Sequence, residues 1–181
     1  PMPGIATRSL PTRLEVSSLL IFETLTEVYR LGKSGLSFTS HLRETGESIM
    51  TIKIGDTLPE TTFMEMTAKG PEPRSTADIF AGKTVALFAV PGAFTPTCSV
   101  NHLPTFLDKK EELAAIGVDE IVCTSVNDAF VMGEWGKSSG AEGHIRMLAD
   151  GNGAFAKAVG LELDASGFGM GPRSQRYSML E

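Results

Sequence analysis

The run KTVALFAV at 83–90 sets apolar residues in succession at 85–90, and EIVCTSV at 120–126 repeats that character further along. A strand with one face in water alternates polar and apolar residues. An unbroken apolar run needs cover on both faces, which is the condition of a strand inside a parallel sheet. Between the two runs, 98–116 reads as a helix stopped by Gly117. The alternation continues with a helix at 128–137, a short strand at 145–148, a short helix at 153–159 closed by Gly160, and a strand over 176–180. Upstream, 61–67 alternates as a short strand, and Ser75-Thr76-Ala77-Asp78 has the chemistry of a capped helical turn. Strands and helices in this order predict an α/β layer fold with right-handed crossovers.

The chain divides near residue 50. Residues 1–13 carry three prolines and two arginines, and 14–31 (LEVSSLLIFETLTEVYRL) set Leu14, Ile21, Leu25 and Val28 on one helical face. Glu15, Glu23 and Glu27 interrupt the apolar stretch, which excludes a membrane span and a good signal-peptide core. Residues 35–48 are polar and linker-like. The expectation is an extension over 1–49, an artefact upstream of a start at Met50 or a targeting segment being further readings, followed by one domain over 50–181.

Composition narrows the function. With 41% hydrophobic and 21% charged residues, 181 residues suit an ordinary soluble domain. A net charge of −6 argues against nucleic acid as a partner, and no stretch suits a membrane. Two cysteines, Cys98 and Cys123, make neither a disulfide scaffold nor a zinc site, so a reducing, cytoplasmic setting is expected.

Cys98 stands where the first apolar strand hands over to a helix, after Pro91-Gly92-Ala93-Phe94-Thr95-Pro96-Thr97. Free backbone N–H groups and the helix dipole at such a junction favour the thiolate, the reactive form. The sheet edge is also where open α/β folds place their sites. An inert, buried small hydrophobe is the competing reading. Cys123, inside EIVCTSV, reads as a core residue. Thr95 lies three residues before Cys98 and can cap the helix, accept from a substrate or donate to the thiolate. Pro91 closes the strand and would shield the thiol from water, and Pro96 suits an early helical position.

His102 follows Cys98 by four residues. A Cys–His hydrolase dyad is weak on that spacing, because both side chains point along one helix rather than at a shared substrate. His144 reads as an exposed loop residue. Arg146, in the predicted strand IRML, either points to solvent or reaches the sulfur of Cys98 from the same sheet. The glycines of SGFGMG at 166–171 lack the strand-to-helix setting of a dinucleotide loop and read as a turn.

Taken together, Pro91-x-x-x-Thr95-x-x-Cys98 resembles the peroxiredoxin motif, and PGAFTPTCSVNHLP at 91–104 is similar to the type-5 (plant type II) subgroup. SVNDAFVMGEW at 125–135 and IRMLADGNGAFAKAVGL at 145–161 agree, so the resemblance covers about 51–180. It implies a thioredoxin-like fold with a central mixed sheet flanked by helices. It implies a thiol-dependent peroxidase acting on hydrogen peroxide and alkyl hydroperoxides, without metal, haem, flavin or other cofactor. By position, Cys98 matches the peroxidatic cysteine, Thr95 its hydroxyl partner, Pro91 the shielding proline and Arg146 the arginine. Glutathione with glutaredoxin, or thioredoxin, is the expected reductant, and a homodimer the expected assembly.

Two departures bear on this. The family continues with a further strand and a terminal helix, which leads us to expect a truncated domain with an exposed edge at 176–180. Some members carry a resolving cysteine in that region, whereas Cys123 matches a buried, non-resolving position. A thioredoxin-fold redox-signalling module, or an inactive fragment, is the rival reading.

Overall fold

A computed structural model describes residues 51–181. The helix expected at 14–31 and the linker at 35–48 lie outside the described residues. A six-stranded sheet forms the centre, in the order β2-β1-β5-β4-β3-β8. These strands are β1 (Thr62–Thr67), β2 (Gly70–Ser75), β3 (Val85–Ala89), β4 (Glu120–Ser125), β5 (Arg146–Ala149) and β8 (Tyr177–Leu180). β3, β4 and β5 run parallel, while β1 and β8 add antiparallel on either side. The mixed thioredoxin-like sheet is thus as expected. A separate hairpin, β6 (Glu162–Asp164) with β7 (Pro172–Ser174), encloses the glycine-rich stretch, whose Ser166–Phe168 forms a short turn rather than a nucleotide loop.

The two apolar runs are covered on both sides, as their composition demands. Every residue of β3 is buried. Phe88, Ala86 and Cys123 face one layer, with Leu103, Phe106, Leu113, Met132 and Trp135. Those residues belong to α2 (Leu103–Asp108), α3 (Lys110–Ala115) and α4 (Ala129–Ser138). Val85, Leu87, Ala89 and Val122 face the other layer with Ile79 and Phe80 of α1 (Thr76–Phe80) and Phe155 of α5 (Ala154–Ala158). Each large apolar side chain fully buried in these layers stabilises the fold by about 1.5–3 kcal/mol.

Local chemistry sets the element ends. Ser75 and Asp78 form a reciprocal capping box at α1. Asp128 caps α4 by accepting from the Val131 N–H at 2.9 Å. The single helix expected at 98–116 is divided instead. It opens as a π turn, Cys98–His102, then runs as α2, breaks at Lys109 (φ −91°, ψ 1°) and resumes as α3. Pro104 stands directly after the wide turn; it has no N–H to give, and its ring crowds the carbonyl four residues back. The i→i+5 bond from the Leu103 N–H to the Cys98 carbonyl accommodates this. β2 escaped the sequence reading because Gly70, Pro71 and Pro73 mask it. As an edge strand it tolerates prolines at alternate positions.

Candidate active site

The end of β3 delivers the loop that carries Cys98. The Val90 N–H bonds the Thr124 carbonyl at 3.1 Å, and Pro91, half-buried, ends the strand. Phe94 then takes φ 59°, the one non-glycine residue with positive φ among the described residues. Such a conformation costs on the order of 1 kcal/mol or more and persists where surroundings enforce it. The loop turns tightly there, and helical backbone begins at Pro96. Cys98 opens the π turn with its side chain fully buried.

The thiol meets a guanidinium. Arg176 Nη2 donates to Cys98 Sγ at 3.2 Å, and Arg176 Nη1 bonds His102 Nδ1 at 2.8 Å. Sheet register explains how a residue so distant in sequence arrives there. Tyr177 of β8 pairs Ala89 of β3, so Arg176 enters the sheet opposite the end of β3, just where the Cys98 loop leaves. Tyr177 points into the α1/α5 layer, and alternation sends Arg176 to the other face, where Cys98 and His102 lie.

This arginine differs from the expected one. Arg146 begins β5 and is the register partner of Val122, so it belongs to the face opposite Cys98. It also sits at the start of a parallel strand, whereas the Cys98 loop leaves from the end of one. Its Nε and Nη2 form a paired bridge to Glu65 at 2.8 and 2.9 Å, and Nη1 reaches Glu120 at 3.4 Å. Burial opposes the charge of Glu65, but hydrogen bonds from Arg146 and Arg74 outweigh it and hold the carboxyl below its ordinary range. Arg146 thus stands in an ion pair away from Cys98, and the expectation that it reaches the sulfur is not met. What sequence reasoning missed was Arg176, the arginine directly before a strand that pairs β3.

Thr95 and Pro91 precede Cys98 in the same loop. The Thr95 hydroxyl donates to the Gly92 carbonyl at 2.8 Å rather than capping the helix. Its oxygen keeps lone pairs with which to accept. His102 is 4% exposed, its ring edge-on to Phe88 and Phe106, which stack on each other. Burial foremost, then the Arg176 charge, depresses its pKa to about 4. The guanidinium occupies the position between imidazole and sulfur, which removes the geometry a Cys–His hydrolase needs. Cys123 is fully buried in β4, and burial pushes its thiol up, away from the thiolate. Among the described residues no cluster of His, Cys, Asp and Glu has the makings of a metal site, and no helix is long and apolar enough to cross a membrane.

A thioredoxin-like sheet with a buried thiol under an arginine fork at the end of a central strand defines a thiol-redox protein. The Redoxin family model matches residues 53–181. A peroxiredoxin of Synechocystis sp. is 50% identical over 126 residues, covering 67% of this chain and 66% of that protein. Peroxiredoxin-2B of Arabidopsis thaliana is 47% identical over 130 residues, covering 71% of this chain and 80% of that one. Reduced Prx3 of Vibrio vulnificus in complex with hydrogen peroxide is 53% identical with a TM-score of 0.69, over 72% of this chain and 81% of that chain. The chain belongs to the redoxin family, as a peroxiredoxin of the type-5 (plant type II) subgroup, a class of thiol-dependent peroxidases.

Proposed function

We propose that Cys98 is the peroxidatic residue and that Arg176, not Arg146, is its electrostatic partner. The observation that carries this reading is the 3.2 Å hydrogen bond from Arg176 Nη2 to Cys98 Sγ. In the reaction the thiolate sulfur attacks one oxygen of hydrogen peroxide or an alkyl hydroperoxide. An S–O bond forms as the O–O bond breaks, sulfur is oxidised to sulfenic acid, and hydroxide or alkoxide departs to take a proton from water. Charge moves from sulfur towards the leaving oxygen. A guanidinium already at the sulfur, with the Cys98 backbone N–H, stabilises that movement, and the Thr95 oxygen, accepting from the peroxide O–H, keeps the peroxide in line. Pro91 keeps bulk water from the thiol.

Cys123, buried in mid-strand, is not placed to reduce the sulfenic acid, and the reductant of this reading is glutathione with glutaredoxin or thioredoxin. A homodimer through the Cys98 face is supported by Phe94 and Val100, large apolar residues exposed by 54% and 71%, and Phe168, exposed by 85%, is a further apolar candidate for the contact. Phe94 and Val100 flank Cys98 in the chain. The two free thiols suit a cytoplasmic setting, and an organellar one is a second reading drawn from chloroplastic relatives.

Mass spectrometry after a brief, low dose of peroxide tests the site. Sulfenic acid should appear at Cys98. Cys98→Ser should abolish peroxide consumption, and Cys123→Ser should retain most of it. Equal losses in both variants would sink the assignment.

A further inference from the structure

The peptide group joining Gly92 to Ala93 is held from both ends. Its carbonyl accepts from Thr95 Oγ1 at 2.8 Å, and its N–H donates to Asn127 Oδ1 at 3.0 Å. The same Asn127 oxygen accepts from Ser125 Oγ at 2.8 Å. Arg173 fixes the backbone that carries Asn127, giving Nη1 to the Val126 carbonyl at 2.7 Å and Nε to the Met170 carbonyl at 2.9 Å. Gly92 makes the close approach possible, because a β-carbon there would lie 3.1 Å from Thr95 Cγ2.

A hydroxyl has a single proton. While the Gly92 carbonyl takes it, the Thr95 oxygen can only accept, and its lone pairs face away from that carbonyl. Were the 92–93 peptide to rotate, the carbonyl would leave Thr95 and the hydroxyl would donate elsewhere. We infer that Asn127 is a positioning residue. By holding the Gly92–Ala93 peptide, it keeps the Thr95 proton turned inward and the oxygen ready to accept the O–H of a hydroperoxide. The inference rests on the proposed role of Thr95 at the peroxide.

Its test compares two reactions of Cys98 in single turnover. One is oxidation by hydrogen peroxide, which uses the Thr95 acceptor; the other is alkylation by iodoacetamide, which has no hydroperoxide O–H to present. Trp135, the sole tryptophan, donates Nε1–H to Ser99 Oγ at 3.0 Å beside Cys98 and supplies the fluorescence signal. Asn127→Ala should slow the peroxide reaction about tenfold, the scale of one well-made hydrogen bond, and leave alkylation within about twofold. Asn127→Asp, which keeps the acceptor oxygen, should restore most of the peroxide rate. In a Thr95→Val background, Asn127→Ala should cost nothing further.

A wild-type peroxide rate in Asn127→Ala, equal slowing of both reactions, or a full additional loss in the Thr95→Val background would overturn the role of Asn127 alone. A wild-type peroxide rate in Thr95→Val would remove the Thr95 reading itself, and this inference with it.

Discussion

Arg176 gives His102 Nδ1 a hydrogen bond of 2.8 Å, which makes the imidazole an acceptor at that nitrogen. Its pKa near 4 lies below the ordinary 6.5, so the unfolded chain takes up this proton first as pH falls. The contribution of His102 to stability is therefore complete above about pH 6.5 and is lost as pH falls towards about 4. Urea unfolding at stepped pH should register it at up to about 1.4 kcal/mol per pH unit within that window. His102→Asn offers an oxygen acceptor that does not titrate and should flatten this part of the profile. An unchanged slope would exclude His102 as its source.

The two arginines should separate cleanly by assay. Arg176→Ala should lower the single-turnover peroxide rate by about 10²–10³, the usual loss on removing a pre-positioned donor. Arg146→Ala should leave that rate nearly intact and destabilise the fold by about 2 kcal/mol, because Glu65 is left part-buried without its paired bridge. Denaturation midpoints and stopped-flow rates on both variants decide the matter. A large rate loss in Arg146→Ala with an unaffected Arg176→Ala would reverse it.

Gly92→Ala sets a methyl group 3.1 Å from Thr95 Cγ2. The backbone there does not need glycine's freedom, so the cost falls on Thr95 rather than on the fold. Steady-state kinetics should show a several-fold higher KM for peroxide, with the melting temperature lowered by only a few degrees. A melting temperature that collapses while KM holds would contradict this.

Assembly can be read by sedimentation. Val100→Glu and Phe168→Glu, each replacing an exposed apolar side chain, should shift a dimer towards monomer at micromolar concentration without unfolding the sheet. Unchanged sedimentation in both variants would count against the proposed contact.

Much of this was legible in the sequence where one residue pattern had one physical solution. The unbroken apolar runs of β3 and β4 admit only burial on both faces, and Ser75 with Asp78 admits only a cap. The loop from Pro91 to Cys98 was legible for the same reason. What escaped depends on register between distant strands. Arg146 and Arg176 both adjoin short strands, and nothing local distinguishes them. Only the pairing of Tyr177 with Ala89 brings one of them to the thiol, while the pairing of Arg146 with Val122 sends the other to the far face. The π turn was hidden likewise, since Pro104 reads as an ordinary early-helix proline unless the Leu103 N–H is known to reach the Cys98 carbonyl.

β8, the strand next to Arg176, lies at the end of the sheet order, paired with β3 through four residue pairs. Cys98 is anchored to the central layers, so nucleophile and guanidinium ride on parts of the molecule with different resistance to opening. Loosening of the β3–β8 pairing alone would carry the guanidinium away while the core stayed shut, so the register of Tyr177 on Ala89 sets the reactivity of the thiol as directly as the guanidinium does.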